Sequence, residues 1–109
     1  MKQKLHIQER IILMELLPKE GNFVTLKMIR ELREQLALNK DERESMGIKI
    51  EGDQVSWDPV KAQENLKEMD FDDLAVDIVK SQLKRLDESN KLEQKHFTIY
   101  QKFMEENNG

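Results

Sequence analysis

Hydrophobic residues in the first third of the chain recur every three or four positions, the spacing that places side chains on one face of a helix. Ile7, Ile11 and Met14 predict a first helix over residues 5–17, which Pro18 ends. After a turn-forming stretch, a second helix is predicted from about Val24 to Leu38. Its apolar stripe consists of Leu26, Ile29, Leu32 and Leu36.

A short third helix is predicted from Lys40 to Met46. Asn39 and Glu42 are three residues apart, which is the spacing of a reciprocal N-terminal capping box. Gly47 then suits the left-handed conformation that commonly follows a helix.

Residues 48–57 alternate between apolar and polar side chains, which is typical of β-strands with one buried face. Gly52-Asp53 predicts a two-residue turn of type II′, because glycine occupies its first position. This turn places Ile50 opposite Val55. The resulting apolar face consists of Ile48, Ile50, Val55 and Trp57.

The second half of the chain predicts three further helices. Asp58-Pro59 is a strong helix start, so a short helix is expected to reach about Met69. Asp70 is expected to cap a helix over residues 71–87, and a last helix is expected over residues 93–106. The pattern therefore predicts one α+β domain spanning residues 1–109, predominantly α-helical, with about six helices (two or three of them short) and one β-hairpin at about 48–57.

Composition narrows the classes of function. Charged residues make up 37% of the 109 positions, well above the usual quarter, and the net charge is −4. The chain has no cysteine, which excludes disulfides, thiolate nucleophiles and cysteine-ligated zinc. No stretch approaches the length of a membrane span, and no signal peptide is recognised, so we expect a cytoplasmic location without membrane contact.

The motifs of catalysis and metal binding are missing from the sequence. Its four glycines are isolated, so no phosphate-binding loop can form, and no serine has a nucleophile-elbow context. His6 and His96 have no second ligand at a metal-binding spacing. The acidic run from Asp70 lacks the glycine and the glutamate that a calcium loop requires. We therefore expect no catalytic, metal or cofactor-binding residue and no enzymatic activity.

DNA binding is one alternative, because two helices, a short helix and a hairpin follow one another as in a winged helix-turn-helix. The side chains available for phosphate contacts are Lys27, Arg30, Arg33 and Lys40. The short helix and the hairpin tip are acidic, however, and neither half of the chain has the cationic surplus that non-specific binding needs. The charge pattern therefore disfavours nucleic acid as the partner.

Protein binding is the leading interpretation, with another protein or a second copy of the chain as the partner. An aromatic stripe on the last helix is either an interface or part of the core, and consists of Phe97, Tyr100, Phe103 and Met104. A second alternative is an acidic decoy that occupies the basic groove of a nucleic-acid-binding protein. Its surface would consist of Asp70, Asp72, Asp73 and Asp77.

Three stretches of the chain resemble small uncharacterised proteins carried by phages and prophages of Gram-positive bacteria. The stretches are Glu9-Arg10-Ile11 with Leu16-Leu17-Pro18-Lys19-Glu20-Gly21-Asn22-Phe23 and Leu26, then Val55-Ser56-Trp57-Asp58-Pro59, then Leu92 with His96-Phe97 and Tyr100-Gln101-Lys102-Phe103. The resemblance covers most of the chain and implies no activity. It implies an accessory protein that acts on other macromolecules in the cytoplasm of a bacterium or of a phage-infected host cell.

Overall fold

Helices dominate the architecture. A computed structural model of the protein describes residues 1–45, 47, 49–58, 60–61 and 66–105. The strands are β1 (Lys2–His6), β2 (Lys49–Glu51), β3 (Gln54–Ser56) and β4 (Leu66–Asp70). The first four helices are α1 (Ile7–Leu16), α2 (Phe23–Leu36), α3 (Lys40–Ser45) and α4 (Asp73–Glu88). A C-terminal helix follows in three pieces, a 3₁₀ turn (Gln94–His96), α5 (Phe97–Tyr100) and a π-helical turn (Gln101–Glu105). The structure thus gives the bounds of five helices, close to the predicted number of about six, and residues 60–61 are the helical start of a further one.

A second two-stranded sheet, which the sequence pattern did not predict, joins the two halves of the chain. β1 pairs antiparallel with β4, and Leu5 belongs to β1 rather than to the first helix. The helix that was predicted to continue to about Met69 must end earlier, because residues 66–70 form β4. The register sets Lys4 opposite Glu68, and such opposite charges across a ladder are favourable.

The expected cap of the long helix also lies elsewhere. Asp70 is the last residue of β4, so it cannot cap the helix that follows. Asp72 holds the N-cap position of α4, although its side chain makes no capping hydrogen bond. Its negative charge next to the helix N-terminus is still favourable, because the helix dipole is positive there.

The capping box of the third helix is confirmed. The backbone N–H of Glu42 donates to Asn39 Oδ1 at 2.8 Å, and the N–H of Asn39 donates to Glu42 Oε1 at 3.0 Å. α3 ends at Ser45, and Gly47 has the predicted left-handed conformation with φ +63°. The predicted last residue of this helix, Met46, lies outside the described residues.

The hairpin is confirmed with its predicted register. Ile50 pairs with Val55 across the ladder, and Gly52 has φ +61°, as the first position of a type II′ turn requires. Ile11, Leu38 and the half-buried Trp57 pack against the buried Ile7, so the end of the hairpin lies against α1. The other three residues of the predicted face, Ile48, Ile50 and Val55, lie outside the side chains that the structure describes.

The predicted helix start at residue 58 is confirmed as far as the structure describes it. The Oδ1 atom of Asp58 accepts hydrogen bonds from the backbone N–H of Val60 at 3.0 Å and of Lys61 at 3.4 Å. Pro59 and residues 62–65 lie outside the described residues.

The core lies between α1, α2, α4 and the C-terminal helix. Phe71 contacts Phe103 with ring centroids 5.6 Å apart and planes inclined by 56°, a favourable arrangement for aromatic pairs. The side chains that are essentially inaccessible to solvent include Leu5, Leu13, Leu32, Leu36, Leu83, Ile99 and Phe103. The Cα radius of gyration is 14.2 Å, close to the roughly 13 Å expected of one compact domain of this length.

Candidate functional site: a groove on the C-terminal helix

The predicted last helix divides its apolar residues between two faces. Ile99 and Phe103 are four residues apart and fully buried in the core. Phe97 has 58% of its surface exposed, while Tyr100 and Met104 are half-buried at the edge of the core. The structure therefore assigns Phe103 to the core and leaves Phe97 and Tyr100 partly available to a partner.

A groove of about 310 Å³ lies where the C-terminal end of α4 meets the C-terminal helix. Its apolar surface comes from Leu92, Phe97 and Tyr100. Its polar surface includes three carboxylates, those of Asp87, Glu93 and Glu105. Of the predicted interface residues, the groove includes Phe97 and Tyr100.

The groove has a negative electrostatic character. Burial raises the pKa of the Tyr100 hydroxyl, and the carboxylates of Asp87 and Glu105 raise this pKa further. The same hydroxyl donates a hydrogen bond to Asp87 Oδ2 at 3.3 Å. Among the described residues that line the groove, none is a lysine or an arginine.

The start of the C-terminal helix is fixed by His96. The backbone N–H of Glu93 donates to His96 Nδ1 at 2.9 Å, and the N–H of His96 donates to the carbonyl of Glu93 at 3.0 Å. Burial, with a further effect of the neighbouring Lys95, lowers the pKa of His96 below its usual value, so the imidazole is neutral at pH 7. A neutral ring keeps Nδ1 available as an acceptor, which orders the groove wall at Glu93.

A buried ion pair holds the first three helices together, and the sequence pattern did not indicate it. The Arg10 side chain is fully buried and forms a bidentate salt bridge with Glu42. It also donates to the carbonyls of Leu36 at 3.2 Å and of Ala37 at 2.8 Å, at the end of α2. One guanidinium group thus joins α1, α2 and α3.

A second buried charge, that of Glu9 on α1, pairs with Lys102 of the C-terminal helix, and Lys102 also contacts β1. Glu9 Oε1 accepts a hydrogen bond from Lys102 Nζ at 2.8 Å, and the same Nζ donates to the carbonyl of Lys4 at 2.8 Å. No described residue donates to Glu9 Oε2, although this atom is buried.

His6 caps α1, because its Nδ1 atom accepts a hydrogen bond from the backbone N–H of Glu9. The pKa of His6 is lowered, mainly by burial. The three-residue spacing of His6 and Glu9 is that of a capping box, so it is the one sequence signal for this cluster.

The other predicted surfaces are exposed and are not gathered into one concavity: Asp77 lines one hollow, beside Pro18 and Leu74, and Arg33 lines another, beside Ile11 and Met14. All four members of the acidic set are exposed, and Asp70 Oδ1 lies 3.6 Å from the N-terminal amine, which partly neutralises it. The four basic side chains Lys27, Arg30, Arg33 and Lys40 are likewise exposed. The exposed residues Glu31 and Glu34 are interspersed among them on α2, so this surface has mixed charge.

The described part of the chain holds no metal site and no membrane span. Across residues 1–45, 47, 49–58, 60–61 and 66–105, no three His, Asp or Glu side chains converge as metal ligands would. Within the same residues, every helix is too short or too polar to cross a bilayer.

The fold and the groove together define a small, mostly helical domain with a concave, acidic and aromatic surface. A comparison of the chain with protein families, with curated proteins and with solved structures finds no match in any of the three.

Proposed function

We propose that the protein is a non-catalytic interaction module that binds another protein through the groove on its C-terminal helix. The observation that supports this proposal most strongly is the position of Phe97, an aromatic side chain with 58% of its surface exposed beside a concavity. Exposed aromatic residues next to a groove are characteristic of protein-binding surfaces, where they act as anchors.

Two polar groups of the groove have structural hydrogen bonds, which supports a binding role for this surface. His96 Nδ1 is used to cap the helix, and the Tyr100 hydroxyl is bonded to Asp87. A general base needs a nitrogen or oxygen that is free to reach a substrate proton, and these two atoms are occupied by structural hydrogen bonds.

The charge of the groove favours a different protein over a second copy of the chain. A symmetric dimer formed through this surface would bring the same patch of each copy together. Asp87, Glu93 and Glu105 of one copy would then face the same carboxylates of the other, which is unfavourable. Light scattering coupled to size exclusion tests this point, because the proposal predicts a mass of about 13 kDa that does not change with concentration.

Selection from a random peptide library displayed on phage tests the proposed function and does not require the partner to be identified first. We expect the immobilised protein to enrich peptides that compete for one site and that lose binding to Phe97→Ala. The matched control is Phe23→Ala, because Phe23 is 80% exposed but does not line the groove. Failure to enrich any peptide, or equal binding of the enriched peptides to Phe97→Ala, would contradict the proposal.

An acidic decoy is a second candidate, since Asp72, Asp73 and Asp77 are exposed on and just before α4. Alanine at these three positions should weaken partner binding without loss of the fold if this candidate is right.

The DNA-binding alternative would use Lys27, Arg30, Arg33 and Lys40. It is tested by titrating the protein with DNA at low salt and by measuring whether Arg30→Ala and Arg33→Ala weaken the binding. The resemblance to phage-borne proteins supports an accessory role in the bacterial cytoplasm under each of these proposals.

A further inference from the structure

The groove combines an apolar surface, formed by Leu92, Phe97 and Tyr100, with the carboxylates of Asp87, Glu93 and Glu105, called the acidic rim below. A ligand that complements this surface would carry both an apolar side chain and a positive charge. We propose that the occupant of the groove is a cationic peptide segment of a partner protein, with an apolar side chain seated on Phe97 and Tyr100 and with lysine or arginine facing Asp87 and Glu105. This inference rests on the proposed function and adds the chemistry of the partner.

Two of the three carboxylates are available for a partner. Glu93 Oε2 lies 3.7 Å from Lys95 Nζ, so its charge is already partly neutralised by the chain itself. Within the described residues, Asp87 and Glu105 form no salt bridge with a lysine or arginine. Both are exposed, and both raise the pKa of the Tyr100 hydroxyl, whose residue also lines the groove.

The size of the groove limits what can enter it. A volume of about 310 Å³ is at the lower end of the range of ligand pockets, which favours one or two side chains of a peptide over a larger element. The apolar anchor would supply most of the affinity, and the acidic rim would supply association rate and discrimination between partners.

Three synthetic peptides of equal length test the inference by fluorescence anisotropy. The first combines leucine with lysine in an amphipathic repeat, the second has glutamate in place of each lysine, and the third has serine in place of each leucine. We expect the leucine–lysine peptide to bind at least about tenfold more tightly than either of the others, since both charge and anchor are required.

Variants of the protein locate the contacts. Phe97→Ala should weaken binding of the leucine–lysine peptide about tenfold, because the variant lacks the aromatic surface on which the apolar side chain of the peptide packs. The double variant Asp87→Asn/Glu105→Gln should weaken it severalfold and reduce the salt dependence of binding. The matched controls, Phe23→Ala and Asp72→Asn/Asp73→Asn, alter exposed residues outside the groove and should leave the affinity unchanged.

The outcomes separate this inference from the proposed function. If the leucine–lysine peptide does not bind, or if the glutamate peptide binds as tightly, the cationic partner is excluded. Library peptides that require Phe97 but carry no positive charge would overturn the inference while supporting the proposed function. If the library also enriches nothing, both fail together.

Discussion

The buried Arg10 allows a sharp test of how the helices are held together. Replacing it with methionine should lower the free energy of unfolding by about 3 kcal/mol, within the range of 3–5 kcal/mol for breaking a buried pair. Methionine retains most of the apolar stem, so the loss arises from the hydrogen bonds rather than from a cavity.

The magnitude follows from the three acceptors that lose the guanidinium. The carbonyl of Leu36, a buried residue, would be left without this partner, at a cost of about 1–3 kcal/mol. Ala37 is exposed, so water can replace the donor there at little cost. Glu42 is partly exposed and keeps its hydrogen bond from the backbone of Asn39, so its contribution should be about 1 kcal/mol.

Urea denaturation followed by circular dichroism measures this change. Arg43→Met, which alters an exposed arginine on the same α3 helix that carries Glu42, is the matched control and should change stability by less than about 0.5 kcal/mol. A loss below about 1 kcal/mol for Arg10→Met, the range of exposed ion pairs, would refute the structural role given to Arg10.

Three further predictions concern pH, the groove and the core. Both histidines have a pKa that folding lowers from 6.5, so near pH 6.5 the unfolded chain binds more protons than the folded protein. The histidine contribution to the free energy of unfolding should therefore be constant above pH 6.5 and should fall as the pH drops below 6.5. His6→Asn keeps a capping acceptor without titrating, so it should reduce this fall in urea melts. Tyr100 is the single tyrosine, so absorbance of the phenolate should titrate above pH 10 and shift down in Asp87→Asn; an unchanged titration would contradict the negative potential assigned to the groove. Phe103→Ala should cost about 3–5 kcal/mol but Phe97→Ala less than about 1 kcal/mol, and equal losses would contradict their assignment to core and surface.

Local structure was predictable where the signal lies within a few residues. The Asn39–Glu42 capping box and the Gly52 turn are defined by neighbouring residues, and the structure confirms both. The β1–β4 sheet was not predictable in this way, because its strands are about 60 residues apart in sequence and each is short. Leu5 also fits the apolar spacing of the first helix, so periodicity alone assigned it to the wrong element.

The buried charges are a second feature that could not be predicted from the sequence. Glu9 and Arg10 belong to residue types that are almost never fully buried unless paired. Their partners, Lys102 and Glu42, lie far away in the sequence, so the pairing emerges only in three dimensions. α1 therefore has buried charged side chains on a helix that the sequence pattern presented as simply amphipathic.

The groove was predictable in part. The pattern identified Phe97 and Tyr100 as candidates for an interface, but it grouped them with Phe103, which is buried. The spacing of Ile99 and Phe103 by four residues is the signal that separates the core face from the groove face. The contribution of Asp87, at the end of another helix, depends on how α4 packs and has no local signature.

A chemical-shift map is the most direct test of whether the groove is the binding surface. The ¹⁵N-labelled protein would be titrated with the tightest peptide obtained from the library selection. If the peptide binds in the groove, the largest shifts should fall at residue 87 and over residues 92–105, on both sides of the groove. Shifts concentrated instead on α2, or on Asp72 and Asp73 at the start of α4, would contradict binding in the groove.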